Sequence, residues 1–64
     1  MKAAINALSK FVTKTFTEEQ VDEIGFFPDT ETPQSYTWNI ELNKKRYSLT
    51  YTYSDKQVAM TQVN

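Results

Sequence analysis

Apolar residues recur at spacings of three and four in the first part of the chain. Ala4, Ile5, Leu8, Phe11, Val12 and Phe16, with Thr15, fall on one stripe, while Lys2, Asn6, Ser9, Lys10 and Lys14 fall mainly off it. That pattern predicts an amphipathic helix over about 2–14. Its alanines, and an interior free of glycine and proline, support it locally.

A second, short helix is predicted at about 18–24 from its punctuation. Thr17 stands at the N-cap with Gln20 three residues on, as a capping box requires, and Phe16 and Val21 have hydrophobic-staple spacing. Glu18 and Glu19 occupy the first turn, where the helix dipole favours negative charge. Gly25 falls where a left-handed C-terminal residue belongs, with Phe26 placed to fold back on Val21. Residues 27–35 hold Pro28 and Pro33 among turn formers and read as a loop crossing to the sheet.

From Tyr36 onward the period changes to two. Tyr36, Trp38, Ile40 and Leu42 point one way, as do Tyr47, Leu49, Tyr51 and Tyr53, then Val58 and Met60. Strands are predicted at about 36–42, 46–53 and 57–63. A hairpin closed at Lys44–Lys45 pairs Leu42 with Tyr47, Ile40 with Leu49, Trp38 with Tyr51 and Tyr36 with Tyr53. A second, closed around Asp55–Lys56, pairs Tyr53 with Val58 and Tyr51 with Met60. A one-residue slip would put the faces out of phase. The expectation is a single α+β domain spanning 1–64, with two N-terminal helices packed on one face of a three-stranded antiparallel meander. Trp38 is expected at the centre of the core. Strand edges are expected open at 36–42 and 57–63.

Composition narrows the function. The chain has 64 residues, no cysteine and no histidine, so the usual zinc, copper and iron sites are not expected and no disulfide staples the fold. One glycine excludes glycine-rich phosphate loops. The net charge of -1 is not that of a chain built for phosphate backbones. Charge lies in blocks: +3 over 1–17, -6 over 18–31 and +2 over 32–64. No apolar run approaches the roughly 20 residues of a membrane helix. The start, Met1 to Leu8, resembles a signal peptide, but Asn6, Ser9 and Lys10 break it and no small-residue cleavage site follows. A cytoplasmic protein is expected.

Catalysis is poorly served. Ser9, Ser35, Ser48 and Ser54 lack a histidine partner, and Glu18, Glu19, Asp22 and Glu23 lie on a short surface helix without a cleft to shift a pKa. Asp29-Thr30-Glu31 lacks the ligand pattern of a Ca²⁺ loop and reads as a polar turn. No enzyme, metal or cofactor is expected. The aromatic set Tyr36, Trp38, Tyr47, Tyr51 and Tyr53 shares its face with aliphatic residues and reads as core rather than a stacking platform.

The opposite sheet face carries the functional expectation. Its rows are Thr37-Thr52-Ala59, Asn39-Thr50-Thr61 and Glu41-Ser48-Val63, with one charge and mostly small side chains. A solvated sheet face ordinarily carries more Lys, Glu and Arg. Thr37, Asn39, Glu41, Ser48, Thr50, Thr52 and Thr61 are therefore candidate partner contacts. The reading is a small non-enzymatic interaction module that meets another protein or a second copy of itself through its acidic helix, the sheet face or an open strand edge, with the sheet expected rather than the helices. By association with other small chains, a phage or mobile-element protein acting on a host protein is expected. The alternative is weak nucleic-acid binding by the basic hairpin tip, Lys44, Lys45 and Arg46.

Overall fold

The fold was analysed in a computed structural model that describes residues 2–63. Helix α1 spans Lys2–Thr15 and α2 spans Glu18–Glu23. Among the described residues five strands follow: β1 (Gly25–Phe26), β2 (Thr30–Glu31), β3 (Ser35–Leu42), β4 (Lys45–Thr52) and β5 (Gln57–Gln62). They form one antiparallel sheet in the order β1-β3-β4-β5, with β2 also paired to β3. The class is α+β with N-terminal helices, as the periodicity implies, but the sheet exceeds a three-stranded meander.

The additional strands lie in the segment read as helix end and loop. Gly25 and Phe26 pair with Glu41 and Ile40, the Phe27 N–H donates to the Asn39 carbonyl at 2.9 Å, and Thr30 and Glu31 pair with Thr37 and Tyr36. Between the two paired pieces Phe27, Pro28 and Asp29 oppose Trp38 and Asn39, so this strand carries one extra residue, a bulge. Pro28, which has no N–H to give to a ladder, sits in it. The edge expected open at 36–42 is therefore covered.

The hairpins differ from the derived register by two residues. Leu42 pairs with Lys45, Ile40 with Tyr47, Trp38 with Leu49 and Tyr36 with Tyr51. Asn43 and Lys44 close the turn with φ of 54° and 65°, the two positive values of a type I′ turn, whose twist matches that of the strands. A shift of two preserves every side chain's face, which is why periodicity does not detect it. The second hairpin likewise pairs Tyr51 with Val58 and Leu49 with Met60. Its turn, Tyr53–Lys56, is held by the Lys56 N–H on the Thr52 carbonyl at 2.9 Å and by Asp55 Oδ1 accepting from the Gln57 N–H at 3.1 Å. The φ of Lys56 is 57°.

The capping box forms as read. Gln20 N–H donates to Thr17 Oγ1 at 3.1 Å, and Thr17 N–H to Gln20 Oε1 at 2.9 Å. The predicted glycine ending does not form. Ile24 is extended (φ -68°, ψ 128°), and Gly25 has no positive φ and enters β1 directly. Pairing with β3 takes up backbone groups that a Schellman ending would have turned inward. Phe26 is accordingly 59 % exposed and packs edge-on against Trp38, at 5.8 Å between ring centroids, rather than on Val21.

The core joins Ala4, Leu8 and Val12 of α1 to Tyr36, Ile40, Leu49 and Tyr51, with Leu8, Ile40 and Leu49 wholly buried. Ile5 and Thr15, placed on the buried stripe by spacing, are exposed. Helix α1 packs on β4 and β5, so Trp38 on β3 is half-buried rather than central. Phe16 reaches Tyr47 edge-on at 6.4 Å. Among the described residues, no helix is long and apolar enough to cross a membrane.

Candidate interaction surface

Alternation along each strand sends Thr37, Asn39 and Glu41 of β3, Ser48, Thr50 and Thr52 of β4, and Thr61 of β5 to the face away from the helices. The observed rows are Ser35-Thr52-Gln57, Thr37-Thr50-Ala59 and Asn39-Ser48-Thr61, with Arg46 opposite Glu41. The seven candidate residues share one face, with Ser48, Thr50 and Thr52 of β4 each one row from their expected places. Arg46 belongs to this face as well as to the hairpin.

The face is knitted by short polar side chains. Thr37 and Thr50 hydroxyls meet at 2.9 Å. Ser48 Oγ donates to Asn39 Oδ1 at 3.2 Å, while Asn39 Nδ2 donates to the Pro28 carbonyl at 2.9 Å and to Thr30 Oγ1 at 3.3 Å. Asn39 thus ties β4 across β3 to the bulge. Beyond it the Arg46 guanidinium lies 4.5 Å from the centroid of the Phe27 ring, a cation–π contact. A hollow of about 240 Å³ opens there, with Phe27, Asn39, Arg46, Ser48 and Val63 in its lining. Sequence reasoning missed Phe27 because Phe27-Pro28 reads as loop; its place follows from the bulge.

Stacking of Arg46 on Phe27 leaves Lys44 and Lys45 as the basic residues at the turn that do not stack on a ring. In the Asp29-Thr30-Glu31 segment the Asp29 carboxylate accepts the Tyr36 hydroxyl. That hydrogen bond, then burial, then the Asp29 charge hold the Tyr36 phenol above its ordinary value.

Among the described residues the other border of the sheet is β5. Gln57-Val58-Ala59-Met60-Thr61-Gln62 contains no charge and no proline, and all but Val58 are exposed. The Val63 N–H donates to the Arg46 carbonyl at 2.8 Å. That bond sets the phase of the ladder: alternate residues from Val63 back to Ala59 bond inward, so Val58 and Met60 turn their N–H and C=O away from β4. Comparison with protein-family models, with curated proteins and with solved structures finds no match to this chain.

Proposed function

We propose that this chain is a non-enzymatic protein-interaction module whose contact surface is the β5 edge and the adjoining face of small side chains. The observation that carries the reading is the outer edge of β5, a strand without charge or proline whose Val58 and Met60 turn N–H and C=O groups away from β4. A long uncharged edge is a template for pairing with another chain. The bordering Thr37, Asn39, Ser48, Thr50 and Thr61 let a second surface approach closely. A second copy of the chain and a different protein are both partners of this kind.

The test is Met60→Pro. It removes an outward N–H from an edge strand without deleting a β4–β5 hydrogen bond, a position where proline is tolerated. Tagged parent and variant are used to capture partners, with and without nuclease, and circular dichroism confirms folding. Loss of one stoichiometric protein partner, or of a parent dimer, in the folded variant supports the proposal. Equal capture by both chains, abolished by nuclease, overturns it in favour of the basic turn.

A further inference from the structure

We infer that the groove between α1 and β5 takes an extended, acidic segment of a partner protein, which adds to the β5 edge as a further strand. The inference rests on the interaction reading above and names the chemistry of the ligand.

Three observations converge. The first is the backbone phase: Val58 and Met60 offer outward N–H and C=O groups, while their side chains point to the helix side of the sheet. The second is an apolar floor. The groove encloses about 410 Å³ between α1 and the start of β5, with Ala7, Phe11 and Val58 in its lining. Met60, next along the same side of β5, is 39 % exposed. The third is charge. Lys10 and Lys14, one helical turn apart, and Lys56, in the hairpin turn, also line the groove, and no acidic residue does. Asp55, beside Lys56, is turned back onto the Gln57 N–H.

The acids of the chain lie elsewhere. Glu18 and Asp22 of α2 line a separate hollow with Thr13 and Phe16, on the other flank of α1. Helix α1 therefore divides a cationic flank, beside the free edge, from an anionic one.

An extended peptide matches all three features at once. Its main chain pairs with β5, and its alternate side chains enter the groove. Acidic side chains there meet the lysines, and an apolar one meets Phe11 and Val58. A second β5 strand is neutral and would leave the lysines without partners. A nucleic acid has no ladder of N–H and C=O groups to offer the edge.

The probe is a short blocked peptide alternating glutamate with valine, and its control replaces each glutamate with lysine. Amide resonances are followed by NMR during titration of the intact chain. The expected result is saturable shifts at Val58, Met60 and Phe11 with the acidic peptide alone, weakened by salt. Replacing Lys10, Lys14 and Lys56 together by Gln should weaken binding about tenfold. The triple Lys→Glu variant should prefer the lysine peptide, a reversal that partial unfolding cannot imitate. Equal binding of both peptides, shifts confined to the Thr37–Thr50 face, or concentration-dependent shifts at β5 without peptide would each overturn the inference. So would the absence of binding at millimolar peptide. A parent that captures a protein through β5 yet ignores the acidic peptide overturns this inference and leaves the interaction module standing; equal capture by Met60→Pro that nuclease abolishes removes the module itself.

Discussion

The strand at 25–31 and the strand at 57–62 both border the sheet, and their sequences handle that position differently. The first is broken into two paired pieces of two residues each, with a bulge and Pro28 between them. It carries Asp29 and Glu31, and Asp29 is hydrogen-bonded inward to Tyr36. Short pieces, a bulge, a proline and charge are the devices by which natural sheets stop a further strand from adding. The second is a continuous run of six residues with none of them. One border is interrupted and charged and the other is continuous and uncharged, so the difference lies in backbone pairing as well as in side chains.

The largest expected effect lies in β4, on which both borders depend. Leu49 is wholly buried between Trp38 and Met60 in the strand pairing. Leu49→Ala should cost about 2–5 kcal/mol and melt the whole sheet in one transition, followed by circular dichroism. Trp38→Ala separates the borders. Its half-buried ring supports Phe26 of β1, so the loss should be smaller, about 1–3 kcal/mol. Hydrogen exchange should then rise at the Phe27 amide before it rises along the β4–β5 ladder. A Trp38→Ala loss exceeding that of Leu49→Ala would show that the core is centred on β3.

Lys44→Gly should stabilise the fold by about 1 kcal/mol, because Lys44 holds a left-handed φ that glycine adopts freely. Urea denaturation checks it, and a loss of stability would restore the hairpin closed at Lys44–Lys45. The closed border also has a pH signature. Tyr36 titrates above its ordinary 10.0 in the folded chain because Asp29 accepts its hydroxyl. The neutral phenol is favoured by folding, so this contribution is present below about pH 10 and is lost as pH rises past the folded value. In Asp29→Asn the melting temperature should fall less steeply above pH 10 than in the parent. The smallest effect is expected at Gly25→Ala. The residue has no positive φ, and an added Cβ would meet only the Glu41 carbonyl at 3.9 Å. The change should stay within about 0.5 kcal/mol; a loss above that by thermal melting would restore the left-handed helix ending.

The sequence speaks most clearly where a signal is both local and uncontested. Thr17 and Gln20 satisfy each other's N–H groups within one turn, so the cap is readable from spacing. The two faces of β3 and β4 follow from alternation alone. The register does not, since a two-residue shift keeps every face, and the deciding turn has Lys44 where glycine would have announced a type I′ pair. Gly25 shows a local signal overridden, because pairing with Glu41 lies outside any local window. The 25–31 strand is too interrupted by Pro28 to show a period. Trp38 shows what alternation omits: it gives the side of the sheet but not which strands the helix covers. For the candidate surface, the shared face was legible and the Phe27–Arg46 contact was not, since it needs the bulge to bring them together.

Residue-resolved amide hydrogen exchange in the free, dilute protein tests the asymmetry of the two borders most directly. The Phe27 amide, bonded to Asn39, should exchange slowly, as should Val63, bonded to Arg46. Val58 and Met60, with N–H groups directed outward from β5, should exchange close to the rates of an unstructured chain. Protection of Val58 and Met60 equal to that of Val63, or rapid exchange at Phe27, would contradict a sheet with one closed border and one open.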